Sequence, residues 1–196
     1  DVSIADKIIH TGDTNTAIRF PAADTFTVET GGSERLRVTS GGNIAIGTIT
    51  ASDLLHAEGS AAVARFVGNR ADELGPRLSL AKSRGAVPGS SIIVQDGDEI
   101  GQIMFKGADG NDVDSTGAAI IGLVDGSPGS NDMPGALTFL TTSDGNNSPT
   151  ERARIDSSGG IGVGTATVRD SAKLDVDGDA RFSGKVAVRD GGNAGA

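Results

Sequence analysis

Apolar and polar residues alternate in short bursts along most of this chain, and each burst ends in glycine, aspartate, asparagine or proline. A period of two with turn residues at its ends predicts β-strands rather than helices. Between residues 6 and 48 the pattern gives a meander of five short strands. The first is Asp6–Gly12, the second Ala17–Pro21 with Ile18 and Phe20 on one face, and the third Thr25–Thr30, where Phe26 and Val28 alternate with threonines and Glu29. A three-residue loop around Gly31-Gly32 would set Val28 opposite Leu36 and Phe26 opposite Val38. The last two strands flank a turn centred on Gly41, which sets Val38 opposite Ile44 and Leu36 opposite Ile46. An odd loop of three residues keeps both apolar sets on one face, whereas a two-residue loop would split them.

The last two strands recur. Ser33–Thr48 reads S-E-R-L-R-V-T-S-G-G-N-I-A-I-G-T, and Thr150–Thr165 reads T-E-R-A-R-I-D-S-S-G-G-I-G-V-G-T. Aligned without a gap, the two share Glu34/Glu151, Arg35/Arg152, Arg37/Arg154, Gly42/Gly159, Ile44/Ile161 and Gly47/Gly164. The second copy sets Ile155 opposite Ile161 and Ala153 opposite Val163 about Ser158. A looser echo follows, L-H-A-E-G-S-A at Leu55–Ala61 against L-D-V-D-G-D-A at Leu174–Ala180, each with a later Arg-Phe. Internal repeats of this kind point to a repeated supersecondary unit. The strands of each unit pair either as a local hairpin or by wrapping around a threefold axis with other chains, and the pattern leaves both open.

Between the copies the text has its own rhythm. Strands are expected at Arg77–Ala81, Ser91–Gln95, Glu99–Lys106, Ala118–Asp125 and Ala136–Thr142, with a short helical turn near Asp114–Ala119. Strands of this length between Gly/Asp/Asn/Pro turns predict a β-sandwich-like knob. The expected organisation is therefore an N-terminal stem repeat over residues 1–50, a linker and strand element over 51–66, an inserted knob over 67–149, and a second stem repeat over 150–196. The expected fold class is all-β and elongated, with β-meander or β-prism stem modules.

Composition sharpens this picture. Of 196 residues, 36% are hydrophobic, but 24 of these are alanine, so a lone protomer is thinly stocked with large apolar side chains. Glycine, at 30 residues, is about twice its usual share and falls at turns without a collagen period. There is no cysteine, which excludes disulfides and thiol chemistry. The net charge of −9, with no basic cluster, argues against nucleic-acid binding. The longest apolar run, Ala118–Val124, is too short to span a bilayer as a helix. The chain opens at Asp1 without a signal segment or initiator methionine, as expected of a processed or partial chain.

Candidate chemistry is sparse. Three acid clusters, Asp96/Asp98/Glu99, Asp109/Asp112/Asp114 and Asp175/Asp177/Asp179, lie in Gly-rich turn text, where aspartate caps backbone amides. Asp112, Asp114 and Thr116 open an EF-type calcium loop, but its twelfth position is Leu123 instead of glutamate. A structural calcium there is the one cofactor reading. His10 and His56 are the only histidines; no G-x-S-x-G elbow accompanies them, and no catalytic residue is assigned. Trp and Tyr, which supply the aromatic face of many sugar sites, are absent. The repeated set Glu34, Arg35, Arg37, Ile44, Ile46, Glu151, Arg152, Arg154, Ile161 and Val163 is assigned to a subunit interface, the charged members as ion pairs or carbonyl contacts between chains, with a solvated polar face as the alternative.

The phrases D-K-I-I-H-T-G-D-T-N-T-A-I-R-F-P-A-A-D-T (Asp6–Thr25), the two E-R-x-R-[VI]…G-x-[IV]-G-T units, D-G-S-P-G-S-N-D-M-P-G (Asp125–Gly135) and S-P-T-E-R (Ser148–Arg152) resemble repeat regions of bacteriophage tail-fibre proteins, of the kind found in phages of marine bacteria and in prophages. The resemblance covers about residues 6–165. It implies a homotrimeric, β-rich fibre of the virion that joins other tail or baseplate proteins to receptor-binding parts and meets a host-surface glycan or protein. It implies no enzyme; some such fibres end in a self-cleaving chaperone domain, and no motif here matches one. The rival readings are a glycan-binding or glycan-degrading tail spike and a bacterial surface adhesin or filament subunit.

Overall fold

The computed structural model describes residues 3–61 and 64–187. The chain divides into two compact units, Asp1–Pro76 and Arg77–Ala196. The first holds β1 (Lys7–His10), β2 (Asp13–Arg19), β3 (Phe26–Thr30), β4 (Ser33–Val38), β5 (Ile44–Ile46) and β6 (Leu55–Ala57), hydrogen-bonded in that order as one six-stranded sheet. The second holds β7 (Glu99–Gly107), β8 (Ser115–Val124), β9 (Gly135–Thr141), β10 (Thr150–Ile155), β11 (Ile161–Val163) and β12 (Leu174–Val176), again one sheet in sequence order. In each, five strands run antiparallel and the sixth returns parallel to the fifth. The chain is all-β; among the described residues the only helical element is the 3-10 turn Arg169–Ser171.

The expected registers hold. Leu36 faces Ile46 and Val38 faces Ile44, while Ala153 faces Val163 and Ile155 faces Ile161. Thr39 N–H donates to Asn43 O at 2.9 Å, which leaves Ser40–Gly42 as a three-residue loop with Gly42 at φ 84°. Both copies pair as local hairpins within the chain. The Gly31-Gly32 turn differs from expectation. Both glycines have positive φ, 58° and 73°, and the loop is two residues between Thr30 and Ser33. Two left-handed residues match the twist of a two-residue hairpin. The register shift this would cause is absorbed by a bulge at Arg35, because Glu29 faces Glu34 while Val28 faces Leu36.

The inserted knob is not a separate body. β7, β8 and β9 pair onward with β10, so residues 99–141 are the first half of the second sheet and do not form a sandwich of their own. What looked like an insert is the same meander with longer strands: β7 has nine residues where β1 has four. Arg77–Ala81 and Ser91–Gln95 run without strand pairing, and the expected helical turn at Asp114–Ala119 is strand β8. Leu80 takes a close position over the glycine row of the sheet, where a Cβ on Gly101 would lie 2.6 Å from Leu80 Cβ.

The parallel return of the sixth strand depends on one glycine per sheet. Gly47 and Gly164 have φ of 77° and 73°, and a Cβ at either would fall 2.2 Å from Glu58 O or 2.7 Å from Asp177 O. Only a residue without a side chain meets both demands. This accounts for the glycine shared by the I-G-T and V-G-T phrases.

Candidate functional site

Residues opposite one another in a sheet share a face. In the first sheet the row Ile8–Ile18–Val28–Leu36–Ile46–Ala57 crosses all six strands, and Phe26–Val38–Ile44–Leu55 runs beside it. In the second sheet the matching rows are Ile103–Ile120–Phe139–Ala153–Val163–Val176 and Gly122–Leu137–Ile155–Ile161–Leu174. These apolar faces are largely uncovered. Ile8 is 50% exposed, Ile46 44%, Leu55 65%, Ile103 47% and Ile161 41%.

The opposite faces close on themselves. There the first sheet carries Lys7–Arg19–Thr27–Arg37–Ala45–His56 in one row, and Thr27 and Ala45 are fully buried between the longer neighbours. Long arginine stems cover small residues while their charged ends find partners. Arg19 bonds Asp6 at 3.0 Å and reaches Glu29 at 3.5 Å. Arg37 forks onto Glu34, 2.7 Å on each arm, and that hydrogen bond raises its guanidinium above its usual pKa. The second sheet repeats the device with Thr138, Arg154, Gly162 and Asp175 in register. Arg154 Nε lies 2.9 Å from Glu151 Oε1 as an ion pair, off the hydrogen-bonding line, while Nη2 bonds Oε2 at 3.3 Å and Nη1 donates to Ala166 O at 2.6 Å.

The residues assigned to an interface therefore divide by face. Ile44, Ile46, Ile161 and Val163 lie on the uncovered apolar side. Glu34, Arg37, Glu151 and Arg154 lie on the other side, each pair closed within the chain. Arg35 and Arg152 sit at the two bulges and reach back to Thr30 Oγ1 and Thr141 Oγ1, both at 3.0 Å.

The acid clusters act as turn anchors. Asp109 accepts from Asn111 N–H, Ser115 Oγ–H and Asp112 N–H, which hold its carboxyl below the usual range. Asp112 accepts Asp114 N–H at 2.8 Å, Asp114 pairs with Lys106 at 3.0 Å, and Thr116 O takes the Thr142 hydroxyl at 2.6 Å. Among the described residues no three His, Cys, Asp or Glu side chains gather as a metal cluster. Asp98, forked by Arg84 at 2.7 Å, and Asp156, bonded by Ser158, are likewise held low. The general acid of a glycoside hydrolase is pushed in the other direction. A shallow polar groove of about 360 Å³ lies between the 107–115 and 142–146 turns, lined by Asp109, Ser115, Thr142, Ser143 and Asn146.

One device had no signal in composition or period. In the second unit Asp175, on β12, receives the backbone N–H of Arg169 at 2.8 Å and both arms of its guanidinium at 2.8 and 2.6 Å. The guanidinium brings the Asp175 carboxyl down to about 2. In the first unit His56, at the matching position of β6, receives Ser52 N–H on Nδ1 at 3.3 Å, with Ser52 Oγ 3.2 Å away. The L-H-A and L-D-V phrases already set His56 against Asp175; the donors, four residues upstream in one unit and six in the other, were what the text did not show.

These features define a class: an all-β chain of two six-stranded sheets, each with one face that packs on its own side chains and one largely uncovered apolar face. No protein-family model and no curated protein matches the sequence. Among solved structures, the fold is similar to the carboxy-terminal domain of the bacteriophage T5 L-shaped tail fibre, with TM-score 0.66, 15% identity, and coverage of 91% of this chain and 81% of that one. It is also similar to that domain with its intra-molecular chaperone domain, with TM-score 0.64 and 14% identity, covering 92% of this chain and 58% of that one. Among the described residues no helix is long and apolar enough to cross a membrane.

Proposed function

We propose that this chain is a structural segment of a phage tail fibre that assembles as a homotrimer, each apolar sheet face covered by the matching faces of the other protomers. The observation that carries this reading is the pair of uncovered apolar faces, repeated on two sheets of identical topology. Contiguous exposed apolar surface on this scale marks an interaction surface. The ladder of Arg37–Glu34 and Arg154–Glu151 on the other side gives each sheet a finished outer wall. The likeness to tail-fibre domains supports the setting: a virion component outside the cell, joined to other tail or baseplate proteins, its loop ends turned towards a host-surface glycan or protein. The role is mechanical and adhesive, without turnover. The net charge of −9 keeps such a repetitive β-protein soluble.

The stoichiometry of three follows from the tail-fibre resemblance; two sheets face to face would bury the same rows. Native mass in solution separates the cases. A trimer is the expected result, and a monomer at micromolar concentration would sink the proposal.

A further inference from the structure

The two crossovers that lead into the parallel sixth strands are latched by the same kind of bond with different chemistry. In the second unit the latch is a carboxylate, Asp175, that accepts Arg169 N–H and is further fixed by the Arg169 guanidinium. In the first it is an imidazole, His56, whose Nδ1 accepts Ser52 N–H. A backbone N–H has one hydrogen to donate, so the imidazole nitrogen must offer a lone pair. A protonated Nδ1 turns the contact into two donors facing each other at 3.3 Å. Imidazole is the side chain that ordinarily changes charge between about pH 5 and 8.

We infer that the first unit carries an acid-sensitive latch: protonation of His56 exchanges its bond from the Ser52 amide for one to Ser52 Oγ and frees that amide, while the matching Arg169 amide of the second unit stays fastened. The charged groups facing the ring are few. Asp53, on the crossover, accepts the Ser52 hydroxyl at 3.0 Å, and Glu58, just past β6, has Oε2 3.8 Å from His56 Nε2. Along the sheet row the neighbour is Ala45, and the Arg37–Glu34 pair lies beyond it. Protonation therefore exchanges partners without stranding a charge: the imidazolium keeps Glu58 and gains Ser52 Oγ as an acceptor, and only the Ser52 amide is left over. The consequence is local. β6 is the edge strand that carries Leu55 on the uncovered apolar row, and the crossover is its tether.

The test is amide exchange on the full chain at pH 7.5 and pH 5.5, read as protection factors so that the intrinsic pH dependence cancels. The Ser52 amide is expected to lose about five- to tenfold in protection at pH 5.5, the scale of one hydrogen bond, while the Arg169 amide does not change. His56→Asn keeps an acceptor that does not titrate and should abolish the difference. Equal protection of Ser52 at both pH values, a matching loss at Arg169, or a loss that persists in His56→Asn would each overturn the inference. Should that variant fail to fold, the nitrogen shifts of the native imidazole decide: Nδ1 must be the unprotonated nitrogen at pH 7.5, and a hydrogen on Nδ1 there refutes the latch.

Discussion

Single side chains set the local limits of each sheet, and two of them make sharp predictions. Gly47 combines positive φ with a space already filled by Glu58 O, and Gly164 does the same against Asp177 O. Replacing either by alanine forces a left-handed residue and a steric overlap together. Left-handed strain alone is of order 1–3 kcal/mol, so Gly47→Ala or Gly164→Ala should lower the urea midpoint by at least that equivalent. Gly12→Ala serves as the control, because Gly12 also has positive φ but open space at its Cβ, and it should cost less. Asp175 makes a pH prediction. Its carboxyl is held at about 2 in the fold, below the ordinary 3.8, so its contribution to stability is present above pH 4 and lost as pH falls from about 4 to 2. Asp72, Asp98, Asp109 and Asp156 are shifted the same way. Thermal melting across that window should fall steeply, and Asp175→Asn should flatten part of the fall while lowering stability at neutral pH.

At the level of elements, the polar face of each sheet is a load-sharing row instead of a solvated surface. Thr27 and Ala45 are buried because Arg19, Arg37 and His56 stand beside them in register. Thr138 repeats the arrangement and donates its hydroxyl to Ile121 O at 3.2 Å. Arg37→Ala should therefore destabilise by more than the median surface ion pair, about 1–2 kcal/mol, because it uncovers packed neighbours and strands Glu34. Arg37→Met, which keeps the stem, should recover a good part of that loss in chemical denaturation, whereas a purely electrostatic role would leave the two variants alike. Register was readable from sequence because period two and an odd loop permit one solution that keeps Leu36, Val38, Ile44 and Ile46 together. The equivalence of β7–β9 with β1–β3 was not readable. The strands run nine, ten and seven residues against four, seven and five, and the shared elements are a topology and a buried threonine, neither of which leaves a phrase in the text. The Gly31-Gly32 loop misled for a different reason: a two-residue turn plus a bulge at Arg35 gives the same downstream register as a three-residue loop, so alternation alone does not separate them.

For the whole molecule, the question is what the apolar rows are for. Alternation identified them as one face, and the natural expectation for such a face is burial. In the single chain the buried face is the one that holds Thr27, Ala45, Ile121 and Thr138, while Ile46, Ile103 and Ile161 on the other face stand open. A chain that spends its scarce large side chains on an uncovered surface needs a partner to cover it, and an identical partner is the simplest source of matching rows. The decisive variants place one charge in each row. Ile46→Glu and Val163→Glu sit at equivalent positions of the two sheets, at the ends of β5 and β11, on the face opposite His56 and Asp175. Burying an unpaired carboxylate at a packed interface costs several kcal/mol, whereas in a free sheet the same side chain would point into water. Each variant alone should weaken assembly, and the double variant should sediment as a folded monomer with the circular dichroism of a β-protein. An unchanged native mass in the double variant would place the contact elsewhere on the chain and leave the apolar rows without their proposed role.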